Sequence, residues 1–166
     1  MKKETLVIAG FPGTGKSYFF RNTDFNVLDS DSSEFSWVKD ENGNNTKERN
    51  PLFPSNYMEH IKENIGKADI IFISTHDVVR GALKEAEIKY ILVYPESGLK
   101  EEYLDRYRNR GSVEGFVNLM DKQWDTFLDE IHKETFPTKV ELISGQTMVD
   151  VVALQNDIWF KDEAAK

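Results

Sequence analysis

Residues 10–17 read Gly-Phe-Pro-Gly-Thr-Gly-Lys-Ser, a complete G-x-x-x-x-G-K-S pattern. Glycines at these places let the main chain curl so that several N–H groups converge on one anion. A helix beginning at the lysine adds the positive end of its dipole. Lys16 is then expected to reach the outer phosphates of a nucleoside triphosphate, and the Ser17 hydroxyl to bind a magnesium ion. The pattern carries this meaning only between a strand and a helix. Thr5-Leu6-Val7-Ile8-Ala9 supplies an apolar strand ahead of it. Gly10, Phe11, Pro12, Gly13, Thr14, Gly15, Lys16, Ser17 and Tyr18 form the expected ATP-binding set.

Asp29-Ser30-Asp31 ends a short second strand. Alternate residues share one face, so both carboxylates point the same way. Beside a triphosphate, Asp29 would hold magnesium through water. Asp31 would orient an acceptor or take the proton of an acceptor hydroxyl. The same residue types also mark turns, and Ser32 or Ser33 can cap a short helix. Phe35 and Trp37 follow the pair. They are expected either to stack on a nucleobase or to pack in the interior.

Ser74-Thr75-His76-Asp77 ends a third strand, with Arg80 about one turn into the next helix. Ser74 and Thr75 would face the acceptor, and Arg80 would fork onto an acceptor phosphate or carboxylate. The alternative for Arg80 is an ion pair, for Asp77 a helix cap, and for His76 a solvated loop position. Arg106, Arg108 and Arg110 lie within five positions of an otherwise acidic chain. Arg106 and Arg110 share a helix face, where like charges repel unless an anion lies between them. Phosphoryl transfer needs such cations, because charge spreads over the transferring group. Gly111 would let this segment hinge as a lid, unless Glu102 merely pairs with Arg106 on a solvated face.

These residues require elements that bring them together. Strand patterns lie at 5–9, 26–29, 69–74, 89–94 and 139–144. Helical patterns lie at 16–22, 55–67 with Met58, Ile61 and Ile65 inward, 77–86, 99–110, 113–131 and 147–160. Val113, Phe116, Val117, Met120, Trp124, Phe127, Leu128 and Ile131 form one apolar stripe. Residues 38–50 are polar and turn-rich, and 38–56 is expected to be a mobile loop on the substrate side. Segment 97–112 is the lid-like part. Alternation of strands and helices predicts an α/β protein whose five parallel strands are covered on both faces. Ligands of such sheets bind beyond the carboxyl ends of the strands.

The 166 residues fit one domain, 1–166, with a sizeable core. There are no cysteines, which excludes thiolate chemistry and disulfides. Net charge is −8, which disfavours a long nucleic acid as partner. The charged N-terminus runs directly into the first strand, and no apolar run reaches the length of a membrane span. A cytoplasmic protein without membrane partners is the expectation.

Together these motifs resemble the small P-loop kinases of the nucleoside-monophosphate kinase superfamily. The resemblance implies a three-layer α/β/α P-loop NTPase fold and the use of ATP and Mg2+. The Asp29-x-Asp31 pair is similar to the paired aspartates of shikimate-kinase-like members, which serve metal and substrate. Ser74-Thr75 with Arg80 resembles the strand end and substrate-binding arginine of shikimate and gluconate kinases. Tyr94-Pro95 through Arg106-x-x-x-Arg110-Gly111 resembles a lid helix, in the style of bacteriophage and bacterial nucleotide kinases. In such folds Ser144-Gly145-Gln146, after the last strand, flanks the adenine, which implies Gln146 as an ATP contact. The Asp-Gly-Phe-Pro-Arg pattern of adenylate kinases and their long lid are absent. The reading is thus a kinase of a small acceptor, a nucleoside or deoxynucleoside monophosphate first. A polynucleotide 5′-hydroxyl or a small hydroxylated metabolite is the alternative acceptor, and an ATP-binding regulatory switch is the alternative outside enzymes. Lys16, Asp31, Arg106 and Arg110 are the expected catalytic residues.

Overall fold

The computed structural model describes residues 4–154. Three strands are buried along nearly their whole length: β1 (Leu6–Gly10), β5 (Ile70–Ile73) and β6 (Ile91–Pro95). Continuous apolar runs of this kind suit parallel strands covered on both faces. The shorter or more polar β2 (Val27–Asp29) and β7 (Thr138–Leu142) take the edges. The order is β2-β5-β1-β6-β7, all parallel. Register aligns Ala9 with Ile73 and Gly10 with Val93, so the strand tips end at one rim.

Helices cover both faces. On one, α3 (Ser55–Asn64), α4 (Asp77–Glu85), α5 (Lys100–Asn109) and α6 (Glu114–His132) bury Ile61, Leu83, Tyr103 and Trp124 against the sheet. On the other, α1 (Lys16–Arg21) contributes Phe19, and a terminal helix beginning at 148 contributes Met148, Val151 and Val152. The five-stranded α/β architecture expected from the sequence is therefore present. The predicted course of the last helix through Phe160 continues outside the described residues.

Three local expectations are corrected. Residues 38–50 are not an irregular loop. After the short α2 (Ser33–Ser36), β3 (Trp37–Lys39) and β4 (Asn45–Arg49) pair as an antiparallel hairpin. Asp40 makes the turn, its Oδ1 accepting the N–H groups of Asn42 and Asn44 at 2.9 Å each, an Asx-type arrangement. Ile65 does not extend the inner face of α3; the helix ends before it, and Ile65 is exposed.

Gly111 ends the helix rather than offering an unbonded turn. With φ +82° it follows the cap of α5; its N–H donates to Arg108 O and the Ser112 N–H to Tyr107 O, each at 3.0 Å. This is the Schellman helix stop, which favours glycine for its left-handed conformation. The lid-like helix is instead rooted by Tyr103, Leu104 and Tyr107, all fully or almost fully buried.

Candidate active site

The strand tips surround a cleft of about 880 Å3. Its floor is the β1–α1 loop. Gly13 and Gly15 hold φ of +87° and +92°, values only glycine takes without strain. Among the described residues, the N–H groups of Gly13, Gly15, Lys16, Ser17 and Tyr18 have no acceptor. They are free for an oxyanion, as the first turn of a helix allows.

Two residues of the motif serve the frame rather than the cleft. Phe11 is buried, its ring edge-on to Trp124 and its N–H donating to Val93 O. The buried Thr14 donates its hydroxyl to Phe11 O at 2.7 Å, and its own carbonyl accepts the Met148 N–H. As direct ATP contacts, Phe11 and Thr14 are corrected. Gly10, Pro12, Gly13 and Gly15 line the cleft, and so do Lys16, Ser17 and Tyr18.

Lys16 is half-buried, and no hydrogen bond or ion pair to it is found among the described residues. Burial lowers its proton affinity; Asp29 and Asp31 oppose that shift, and Arg110 adds to it. These four charges therefore sense one another across the cleft. Asp29 and Asp31 stand exposed in it, while the intervening Ser30 turns inward. The turn is pinned from behind: Tyr57 donates its hydroxyl to Ser30 O at 2.7 Å, and Ser30 Oγ lies 2.9 Å from His60 Nε2. Ser74 Oγ donates to Ser32 Oγ at 2.7 Å, tying the β2 tip to the β5 tip. Ser74, Thr75 and His76 line the adjoining wall.

The far wall belongs to α5. Tyr107 donates its hydroxyl to Pro12 O at 2.7 Å, and Arg106 donates through Nη1 to Gly13 O at 2.9 Å. A methyl group on Gly13 would sit 2.9 Å from the Tyr107 ring. The helix thus grips the phosphate loop from its outer side. The Arg106 guanidinium lies 4.4 Å from the Tyr103 ring centroid and 3.8 Å from Glu102. Arg110 makes no ion pair among the described residues; its Nε donates to Ser112 Oγ, and its guanidinium lies over the Tyr107 and Phe116 rings, 4.9 and 5.6 Å from their centroids. Both arginines line the cleft, but Arg106 is held by the loop whereas Arg110 rests on aromatic rings with no carboxylate partner among the described residues.

Four expected contacts lie elsewhere. Arg80 is buried, donating through Nε to Thr75 O at 2.9 Å and through Nη1 to Glu134, with Glu130 3.4 Å from Nη2. It does not line the cleft, and its charge is committed. Arg80→Met is expected to cost about 3 kcal/mol in urea unfolding, near the lower end for a broken buried pair because Glu130 can turn to water. Phe35 packs on Tyr57 and His60, at 5.2 and 4.7 Å between centroids. Trp37 carries the Arg49 guanidinium 4.2 Å over its ring. Neither lines the cleft, so the base-stacking role is corrected to packing. Gln146 turns back to accept the Ile143 N–H through Oε1 at 3.0 Å, closing its own loop instead of facing the cleft.

Tyr57, His60, Tyr103 and Tyr107 were not selected by sequence reasoning. Their signal is faint: a tyrosine pair at i and i+4 in a charged helix, and a Tyr-x-x-His spacing on α3. Burial raises the hydroxyl pKa of both Tyr57 and Tyr107 well above 10. Above pH 10 the unfolded chain loses these protons while the folded chain keeps them, so stability falls with pH. Each tyrosine adds up to about 1.4 kcal/mol per pH unit to that slope, and about half of that at pH 10. Urea titrations between pH 10 and 11 should show Tyr107→Phe with a shallower decline than wild type; an unchanged slope would place Tyr107 in water.

Among the described residues no cluster of three acidic or histidine side chains could cage a metal. One hydroxyl (Ser17) and two carboxylates in one cleft instead suit a hard cation that keeps water and phosphate ligands. No helix among the described residues is long and apolar enough to cross a membrane.

No protein-family model matches this chain, and no curated protein matches it. Among solved structures, a gluconokinase from Sinorhizobium meliloti 1021 is similar at 14% identity, over 96% of this chain and 98% of that one, with a TM-score of 0.48. A likeness that distant assigns neither acceptor nor activity.

Proposed function

We propose that the protein is a Mg2+- and ATP-dependent kinase whose small acceptor offers a hydroxyl group. The observation that carries this reading is the unpartnered Lys16 at the base of a loop of free amides, facing Asp29, Asp31 and Arg110 in one cleft. Lys16 and the loop amides hold the β- and γ-phosphate oxygens. Ser17 and Asp29 would hold the magnesium ion, which would supply charge neutralisation. Asp31 takes the acceptor's hydroxyl proton as the new oxygen–phosphorus bond forms. The bond from the γ-phosphorus to the bridging oxygen breaks, and ADP leaves. Arg110 neutralises charge on the transferring group.

Arg80 decides between acceptor classes. A monophosphate or a sugar acid needs a free cation on the acceptor side, and the residue expected to supply it is neutralised by Glu130 and Glu134. With Arg110 assigned to the transferring group, the remaining groups there are Asp29, Asp31, Ser74, Thr75 and His76. Carboxylates favour a hydroxyl that must lose a proton; a phosphate acceptor is already ionised and needs no base. The hydroxyl acceptor therefore ranks above the monophosphate. The net charge of −8 speaks against a long polynucleotide end.

The test is ADP release from MgATP in the presence of nucleosides, nucleoside monophosphates, sugar acids and a 5′-hydroxyl oligonucleotide. Release that depends on a hydroxyl compound supports the reading. Tight ATP binding with no acceptor-dependent release would point instead to a nucleotide-binding switch.

A further inference from the structure

Behind the Thr75–His76 turn, a second cavity of about 160 Å3 opens between α4 and α6. Phe11, Leu119, Met120, Phe127 and Ile131 wall it with hydrocarbon. Pro12, Thr75, His76 and Phe116 border both cavities, so this annex adjoins the phosphate cleft. Protein interiors rarely leave such a space unfilled. An apolar cavity of about 150 Å3 is known to accept a benzene-sized ring.

The charges at its edge narrow the occupant. Arg80 borders the annex, but Glu130 and Glu134 already neutralise it. Asp77 and Glu130 also border it, so an anionic substituent would meet carboxylates; Arg110, which lies over the Phe116 ring at the rim, is assigned to the transferring group. A neutral ring loses nothing on entering, and apolar walls with a few polar groups at the rim are how small-molecule sites hold such a body.

Building on the kinase reading above, we propose that the annex seats the ring of the acceptor. The substrate class is then an alcohol on a single pyrimidine- or phenyl-sized ring, without phosphate or carboxylate. Its hydroxyl reaches the Asp29–Asp31 end of the cleft while its ring lies beyond Phe116. Transfer follows the same balance: the hydroxyl oxygen gains the γ-phosphoryl group, Asp31 gains the proton, and ADP departs.

Leu119 provides the test, because it lines the annex from a helix surface where it is 49% exposed, so polar replacements leave the core intact. The probes are thymidine, cytidine and 1-phenyl-1,2-ethanediol, against thymidine monophosphate, gluconate and shikimate. Phosphorylation is followed by ADP release, and binding without ATP by calorimetry, for wild type, Leu119→Asp and Leu119→Gln. A ring alcohol is expected to be the best acceptor. Both variants should raise its KM and its calorimetric Kd about 10-fold or more with kcat little changed, the mark of lost binding rather than lost chemistry. A preference for gluconate, shikimate or the monophosphate would overturn the annex while leaving the kinase standing. So would a ring alcohol whose KM and Kd ignore both variants. Ring-alcohol binding that responds to Leu119 without any ADP release would overturn the kinase reading and keep the annex as a binding site.

Discussion

Lys16→Met should lower phosphoryl transfer about 10³-fold, equivalent to ~4 kcal/mol of transition-state stabilisation, without loosening the fold. Lys16 is the cation closest in sequence to the free loop amides, and no side chain competes for it among the described residues. Its stem packs on the end of β1, where a methyl group on Gly10 would lie 2.8 Å from Lys16 Cδ. Methionine keeps that hydrocarbon contact. It also removes an ammonium whose burial outweighs the attraction of Asp29 and Asp31. The thermal midpoint should therefore stay level or rise. Steady-state ADP release together with a melting curve reads both effects. Turnover near the wild-type level would show that the loop is not catalytic, and a midpoint several degrees lower would make Lys16 a structural residue.

Asp31→Asn separates the two kinds of acceptor. If Asp31 takes a hydroxyl proton, the change should cut kcat by about 10²–10⁴-fold, the usual contribution of a general base, with a small effect on acceptor KM. If the acceptor were a phosphate, only positioning would be lost and KM would move instead. The Asp31 carboxylate also accepts the Ser33 N–H at 2.9 Å, which asparagine can still satisfy through its carbonyl oxygen. The start of α2 should thus survive, and a circular dichroism spectrum matching wild type would confirm that kcat reports chemistry. A variant whose kcat is unchanged would remove Asp31 from the mechanism.

How far the sequence revealed these sites depended on whether their partners are local. The phosphate loop was legible because its chemistry lives in main-chain N–H groups and in glycines that allow the curl. The buried strands were legible from continuous runs such as Ile70-Ile71-Phe72-Ile73. Asp29 and Asp31 alternate across a strand end, and the structure leaves both open to the cleft with Ser30 turned in. Arg80 was misread because its partners lie 50 and 54 residues downstream, on α6 and just past its end. Nothing within its own helix announces a buried pair. The hairpin of β3 and β4 was missed because its strands show no clean apolar alternation. Its pairing is supported by Arg49 over Trp37 and by the Asp40 turn. The grip of α5 on the phosphate loop was hidden by the helix's many charges, among which Tyr103 and Tyr107 are the buried anchors. Gly111 reads equally well as a hinge or as a helix stop until the bonds around it are known.

The central claim is that the curl of main chain between β1 and α1 wraps the polyphosphate of MgATP. Calorimetric titration of the wild-type protein with a nonhydrolysable ATP analogue and magnesium tests it most directly. One saturable site, weakened by magnesium removal and at least about 10-fold by Lys16→Met, as expected for the loss of a charged hydrogen bond of 1.5–3 kcal/mol, is the expected result. A flat titration at millimolar ligand, or binding indifferent to Lys16, would contradict it.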